Sequence, residues 1–179
     1  MRLITGICLL AALFAAPAYA QFTFHSVEGM SSTVMQEGQT SFTGLGLRTQ
    51  VKSEKLNPSI TFLPTVEWFR VASHVETYDV KTVRSDAAFG LDARWEFTHP
   101  GWTPYAGLGY SIHFIDAEVE APALGVPHDS YGVTKGGPSV LGGVTFTPGG
   151  RLENFLELKY LHLPPFRQLK FSWGLSWKF

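Results

Sequence analysis

The sequence predicts an all-β fold, an eight-stranded antiparallel transmembrane β-barrel preceded by a cleaved signal peptide. Three observations lead to this prediction. An apolar leader opens the chain, later segments alternate apolar and polar residues with a period of two, and the connections between them alternate in length. The last segment, FSWGLSWKF (Phe171–Phe179), shows the alternation most clearly, because its odd positions are large and apolar and its even positions are Ser, Gly or Lys.

The leader has the composition of a secretory signal peptide. Met1-Arg2 supplies a short positive region, Leu3–Ala16 is mostly apolar, and Ala18–Ala20 places small residues at the two positions that a signal peptidase reads. The apolar run is shorter than the roughly 18 residues that a membrane-spanning helix needs. We therefore expect a signal peptide at 1–20 and one barrel domain at 21–179.

Composition excludes several functional classes. The only cysteine, Cys8, lies in the leader, so the mature chain has no disulfide, thiolate nucleophile or cysteine metal ligand. Lys and Arg number 14 against 15 Asp and Glu, and Arg2 leaves with the leader. Without a basic excess, nucleic acid is not an expected partner. No cofactor and no metal site are expected.

The first four strands are predicted in the N-terminal half of the mature chain. In the second, third and fourth segments, apolar residues take one parity while charged or small residues take the other; no parity is assigned to the first. The parity breaks at Phe69, which predicts a β-bulge. The segments are, in order, one strand within Phe22–Met35, then Leu45–Val51, Ile60–Trp68 and Gly90–Thr98.

The last four strands follow the same rule. In the fifth strand, for example, Leu108 and Tyr110 share the apolar face, opposite Gly109 and Ser111. The apolar side is predicted to face lipid and the polar side the lumen. The segments are Tyr105–Phe114, Gly137–Thr147, Leu156–Tyr160 and Phe171–Phe179.

The connections distinguish the two ends of the predicted barrel. Three are short and rich in turn residues: Ser53–Asn57, His99–Thr103 and Pro148–Arg151. The connection Asp116–Gly136 is long and rich in Pro, Gly and acidic residues. Counted from a periplasmic N-terminus, the short turns all fall on the periplasmic side and the long connections outside. This is the pattern of bacterial outer-membrane barrels.

Charged residues on the polar parity are predicted to pair inside the barrel. The interior of an eight-stranded barrel is just wide enough for side chains to fill, and unpaired charges there are costly. We therefore expect a plugged lumen; a soluble β-sandwich or lipocalin-like barrel is the alternative fold. The predicted lumen charge network is Arg48, Glu67, Asp92, Arg94, Glu96, His113, Glu157, Lys159 and Lys178. Two interfacial aromatic girdles are predicted from Trp68, Trp95, Trp102, Tyr105, Tyr160, Trp173 and Trp177.

The AYA end of the leader, the TPYAGLGY strand (Thr103–Tyr110) and the last strand closing on Phe179 resemble a known class. They are similar to the small eight-stranded outer-membrane β-barrel proteins of the OmpA and OmpX type. The resemblance implies the outer membrane of a Gram-negative cell, with outer-membrane lipid and lipopolysaccharide as partners. It also implies that Phe179 is part of the assembly signal read by the barrel-assembly machinery.

Two sequence features suggest catalysis. Leu158–Pro164 weakly resembles the strand of lipid A deacylase barrels, in which a His and a Ser two residues later face lipid. His162 has the outward parity, but Pro164 replaces the Ser and offers no nucleophile. His128-Asp129-Ser130 lies in the predicted long loop, and successive side chains point apart. We therefore expect no catalytic residues.

The predicted function is consequently non-enzymatic: cell-envelope integrity, or surface interaction through outer loops whose ligand is unknown. A narrow, porin-like channel of the OmpW kind for small or apolar solutes is the alternative, and a lipid A deacylase-like enzyme is the second. Asp116, Glu118 and Glu120 alternate at the top of the fifth strand. We interpret them as an acidic strand extension, since a divalent cation there needs oxygens from other loops.

Overall fold

Eight antiparallel strands close into a barrel in chain order, as the sequence predicts. The computed structural model describes residues 22–36, 41–53, 55–75, 80–121, 126–146, 150–164 and 166–179, so the predicted signal peptide lies outside the described residues. Among the described residues, no helix is long and apolar enough to cross a membrane. The strands are β1 Phe22–Gln36, β2 Phe42–Ser53, β3 Ile60–Val75, β4 Val80–Glu96, β5 Trp102–Ala121, β6 Val126–Phe146, β7 Leu152–Leu163 and β8 Phe166–Lys178.

The barrel has a polar inside and an apolar outside. In β8, Ser172 and Ser176 are buried, whereas Trp173 and Trp177 are 51% and 53% exposed. The same alternation runs through β1 and β7. This is the reverse of a soluble protein, in which large apolar side chains are buried and charges are solvated. The exposed apolar band therefore matches a lipid environment and not a soluble sandwich.

The strands are staggered around the ring. Following paired residues once around leads from Phe24 on β1 back to Met35 on the same strand, by way of Val51, Phe62, Ala93, Leu108, Val140, Tyr160 and Leu169. Such a stagger tilts the strands against the barrel axis and sets how the lumen is filled. Lumen residues of strands that are not neighbours, such as β2 and β7, consequently meet.

The predicted bulge at Phe69 is wrong. β3 pairs with β4 without a shift from Ile60↔Trp95 to Val75↔Val80. Phe69 keeps the inward parity and is 2% exposed, with its ring 5.9 Å from that of Phe42. The lumen is not polar throughout, so an aromatic residue on the inward parity need not break the strand. A register shift lies instead in β1, between Phe24 and Ser26.

The predicted long loop Asp116–Gly136 is also wrong. β5 continues to Ala121 and β6 begins at Val126, so most of this segment is a two-stranded extension of the barrel wall. In it, Ala117 and Val119 take the lumen side while acidic residues point outward. The apolar face therefore changes sides above Phe114, as expected where a strand leaves lipid for water. β4 likewise begins at Val80 rather than Gly90.

The opposite end of the barrel carries the short turns and both ends of the described chain. In the first turn, the Leu56 amide donates to the Ser53 carbonyl at 3.3 Å. In the second, Gly101 has φ +82°, a conformation that favours glycine. β5 already begins at Trp102, so this turn is shorter than predicted. Part of the third turn lies outside the described residues.

Candidate functional site: a filled lumen beneath a projecting sheet

Glu28 and Arg48 form the centre of the buried ion cluster. The Glu28 carboxylate accepts hydrogen bonds from Arg48 Nε and Gln50 Nε2. Arg48 Nη1 also donates to Glu157 Oε2 at 2.8 Å, and Arg94 Nη1 lies 3.8 Å from Glu28 Oε1. β1, β2, β4 and β7 each contribute to this cluster. It crosses the lumen from wall to wall, which an open pore would not allow.

Tyr105 belongs to this cluster and not to a girdle. Its side chain is 3% exposed and its hydroxyl donates to Glu157 Oε2 at 3.1 Å. The Arg94 guanidinium lies 4.7 Å from the centre of its ring. The girdle prediction for Tyr105 is wrong because odd positions of β5 face the lumen. The other six predicted girdle aromatics are all at least 40% exposed.

Further ion pairs occupy the lumen above and below this cluster. Towards the turn end, Glu96 accepts from Arg94 at 2.9 Å and from Lys52 at 3.0 Å. The remaining pairs each join two strands, with nitrogen–oxygen distances of 2.7 Å for Lys159–Asp92, 2.7 Å for Lys170–Glu67 and 2.6 Å for Lys178–Glu153.

His113 lies between a serine and an aspartate. Its Nδ1 is 3.0 Å from both Asp86 carboxylate oxygens, and its Nε2 is 3.1 Å from Ser111 Oγ. The order resembles a Ser-His-Asp triad, but all three side chains are at most 3% exposed. A nucleophile needs access to substrate, so this geometry indicates a buried hydrogen-bond chain that holds β4 against β5.

An apolar cluster covers the lumen network on the side away from the short turns. Val34, Phe42 and Phe69 pack together, with Val71 against them. Beside this cluster, Gln168 Nε2 donates to Gln36 Oε1 at 3.0 Å. Layers of ion pairs and then apolar side chains therefore fill the described lumen.

The structure places all nine predicted network residues on the lumen side. Sequence reasoning missed further charged residues there, although each lies on the inward parity of its strand. They were missed because they lie outside the segments in which an apolar stripe was recognised, or in the uncertain first strand. They include Glu28, Lys52, Arg84, Asp86, Glu153 and Lys170.

Above the lumen, four strands continue past the others and form what we name the projecting sheet. It consists of Arg70–Val75, Val80–Ser85, Asp116–Ala121 and Val126–Lys135. The last β6 residue paired with β7 is Ser139, and the last β3 residue paired with β2 is Phe69. Within the described residues, the projecting sheet thus has two edges without a neighbouring strand.

The two faces of the projecting sheet differ in character. Asp116, Glu118 and Glu120 are exposed on the outward face, and His128 Nδ1 lies 3.7 Å from Glu120 Oε1. In the part of the chain that is described, no group of His, Asp and Glu has a metal-binding arrangement. On the other face, Tyr131 pairs with Ala117 and is 65% exposed.

Neither sequence feature that suggested catalysis forms an accessible catalytic group. His128, Asp129 and Ser130 are exposed residues of β6 and not of a loop, and Asp129 Oδ1 accepts from the Ser130 amide at 2.9 Å. His162 is exposed and pairs with Arg167 across β8. Neither Arg167 nor Pro164, the residue that follows the end of β7, carries a hydroxyl.

No protein-family model matches the sequence, and no curated protein matches it. Several solved structures do match the fold. Ail, the attachment invasion locus protein of Yersinia pestis, superposes with a TM-score of 0.59 and 13% identity, covering 89% of this chain and 99% of Ail. Neisserial surface protein A gives 0.57 and 17% over 89% of this chain and 98% of its own. OprG from Pseudomonas aeruginosa gives 0.58 and 13% over 89% and 96%. At these identities the likeness is one of fold, and the chain has the fold of the small eight-stranded bacterial outer-membrane β-barrels.

Proposed function

We propose that this chain is a non-enzymatic outer-membrane protein that serves surface interaction through its projecting sheet and contributes to envelope integrity. The observation that carries the proposal is the free edge of β6, because Val126–Lys135 has no partner in β7 among the described residues. In this proposal the leader is removed before Gln21, the short turns and Phe179 face the periplasm, and the projecting sheet faces the medium. Phe179 then serves recognition by the barrel-assembly machinery.

The free edge has the properties of a site for strand addition. Unpaired N–H and C=O groups of an edge strand accept an extended peptide as a further strand. His128–Thr134 contains no proline, so each of its residues keeps its amide donor. Tyr131 presents a large side chain at the same edge, and tyrosine is enriched at protein interfaces. The proposed partner is an extended polypeptide segment outside the cell.

The charge of the projecting sheet argues against a strongly anionic ligand. Ail is known from a structure "in complex with the heparin analogue sucrose octasulfate". Here the described outward face carries three exposed carboxylates, Asp116, Glu118 and Glu120, against two exposed cations, Arg70 and Lys81. This balance disfavours a polysulfate. We therefore expect that this protein does not bind that compound.

The two alternatives from the sequence have less support. A narrow OmpW-like channel needs an open lumen, and the described lumen is occupied by ion pairs and by the cluster around Phe69. A deacylase-like enzyme needs a nucleophile beside His162, where Arg167 is the cross-strand partner and Pro164 stands two positions later in the chain.

The test begins with membrane location and barrel formation. Cells expressing the chain are fractionated, and the extracted protein is run on a gel heated and unheated. A faster unheated band in the outer-membrane fraction is expected, since a closed barrel resists detergent. A single mobility in the soluble periplasmic fraction would contradict the proposal.

The interaction is then tested with the protein in nanodiscs on an array of extended peptides. The full chain is compared with a variant in which residues 116–132 are replaced by Asn-Gly, which joins β5 and β6 at the Ile115–Val133 pair and removes Tyr131 with most of the free edge. The full chain should bind a subset of the peptides. Neither proline-substituted copies of those peptides nor sucrose octasulfate should compete for this binding. Equal binding by the truncated variant, or no peptide binding at all, would overturn the strand-addition proposal.

A further inference from the structure

A shallow apolar groove runs across the outer surface of β6, β7 and β8. Its volume is about 160 Å³, and it is lined by Val140, Leu141, Gly142, Leu158, Tyr160 and Leu169. Tyr160 pairs with Val140 on one side and with Leu169 on the other. Gly142 pairs with Leu158 and leaves a notch there because it has no side chain. The groove lies in the apolar band and opens toward lipid.

Two basic side chains stand directly above the groove. His162 and Arg167 are cross-strand partners, one step beyond the Tyr160–Leu169 pair on the same face, and both are exposed. Two residues along a strand correspond to about 7 Å. A cationic rim therefore lies one residue pair beyond the mouth of an apolar groove.

This arrangement is not repeated at the corresponding position on β5. The first outward residue beyond Phe114 is Asp116, followed by Glu118, so that part of the rim repels anions. The β7–β8 rim, in contrast, offers a guanidinium, which matches a phosphate in geometry and charge. The imidazole N–H of His162 can donate to the same group. On β3, the exposed Arg70 lies one outward position beyond Trp68, but it shares its groove with Asp116 and Glu118. Charge complementarity thus favours an amphiphile with an anionic head at the β7–β8 rim.

We propose that the groove and its rim form a lipopolysaccharide site, with an acyl chain of lipid A in the groove and a lipid A phosphate against Arg167 and His162. The inference rests on the proposed outer-membrane location, which places this rim in the leaflet where lipopolysaccharide resides. It gives the barrel a fixed glycolipid neighbour on the β6–β8 side and leaves the projecting sheet free for its partner.

Two substitutions test the two halves of the site. Arg167→Gln removes the charge, and Lys81→Gln is its control because Lys81 is also exposed but lies on β4, where it pairs with Glu120 of β5 and not with β7 or β8. Gly142→Leu fills the notch, since a Cβ there meets nothing closer than the Tyr105 carbonyl oxygen at 3.7 Å. Gly29→Leu is its control, because a Cβ at this lipid-facing glycine lies 3.9 Å from its nearest neighbour, Leu47.

The measurement is native mass spectrometry of the full barrel in mild detergent, titrated with diphosphoryl lipid A and, separately, with phosphatidylglycerol. We expect Arg167→Gln and Gly142→Leu each to weaken lipid A binding about fivefold, or ~1 kcal/mol, with both controls unchanged. Monophosphoryl lipid A should bind the parent protein more weakly than diphosphoryl lipid A does. Arg167→Gln should lower the affinity for the monophosphoryl form by a smaller factor.

Three results would overturn the inference. The parent protein does not bind lipid A, the variants and the controls lose the same amount of lipid A affinity, or phosphatidylglycerol binds as tightly as lipid A and is weakened equally by the same substitutions. The last result would identify a general anionic-lipid site. Heated and unheated gel mobility is recorded for every variant. A protein that forms no barrel contradicts the proposed function, whereas a normal barrel with unaltered lipid A binding contradicts only the lipopolysaccharide site.

Discussion

The pair Lys170–Glu67 offers a direct measurement of whether the lumen is dry and filled. Lys170 Nζ lies 2.7 Å from Glu67 Oε2, and the two side chains are 2% and 7% exposed. The perturbation is a double-mutant cycle of Glu67→Leu, Lys170→Met and the two together. Each single change leaves one charge buried without its partner, while the double change replaces the pair by apolar side chains.

The magnitude follows from burial. Breaking a buried ion pair by removing one partner costs about 3–5 kcal/mol, whereas replacing both partners is often neutral or stabilising. After Glu67→Leu, Lys170 keeps the Phe69 ring, 4.7 Å from its Nζ, which offsets part of the loss. We therefore expect a loss of about 3 kcal/mol for Glu67→Leu, somewhat more for Lys170→Met, and less than about 1 kcal/mol for the double variant.

The assay is the free energy of unfolding of the barrel in lipid vesicles, from urea titration followed by tryptophan fluorescence and by heated and unheated gel mobility. Glu120→Leu is the control, because its contact with His128 is 3.7 Å long and half exposed and such pairs contribute less than about 1 kcal/mol. If both single variants cost no more than the Glu120→Leu control, the lumen is hydrated. The filled-lumen interpretation, and with it the argument against a channel, would then be wrong.

Three further predictions follow from the lumen, the C-terminus and the glycines. In planar bilayers, the protein should show no steady single-channel conductance. Arg94→Ala should lower the free energy of unfolding without opening a channel, because Arg94 contacts both Glu28 and Glu96. Stepwise currents in either protein would contradict this. Phe179→Ala should lower the amount assembled in the outer membrane while refolding into vesicles in vitro stays unchanged, so a defect in both would indicate a packing role instead. Gly174→Ala should cost about 1–3 kcal/mol of unfolding free energy, because a Cβ there collides with the Gly29 carbonyl oxygen and the Phe155 ring. Gly142→Ala should change the unfolding free energy by less than about 0.5 kcal/mol. Equal effects of the two substitutions would refute the packing argument.

The sequence predicted the strands best where one face meets lipid. In β8, five large apolar side chains alternate with Ser, Gly and Lys, and the structure places the two sets as expected. Prediction failed where a strand leaves lipid. Beyond Phe114 the apolar residues Ala117 and Val119 change to the lumen side, so the outward stripe ends although the strand continues. The β5–β6 extension was consequently interpreted as a loop.

The lumen was predictable in its composition but not in its pairs. Parity along a strand decides that Arg48, Asp92 and Glu157 point inward, because side chains alternate with a period of two. It does not decide which carboxylate Arg48 meets, since that depends on the stagger of eight strands. Tyr105 shows the same limit, because its hydroxyl bond to Glu157 joins β5 to β7, two strands that are not neighbours.

The sequence by itself determined the fold class, the number of strands, the lipid-facing side of seven of them and the polar character of the lumen, since all of these follow from local alternation and turn composition. Only the tertiary structure decided the stagger of the ring and therefore the ion pairs. It also decided the position of the apolar cluster of Val34, Phe42 and Phe69, the free edge of β6, and the groove beneath His162 and Arg167. These features depend on how far each strand continues past its neighbour. Register is set by hydrogen bonds and packing between distant segments, and no single segment encodes it.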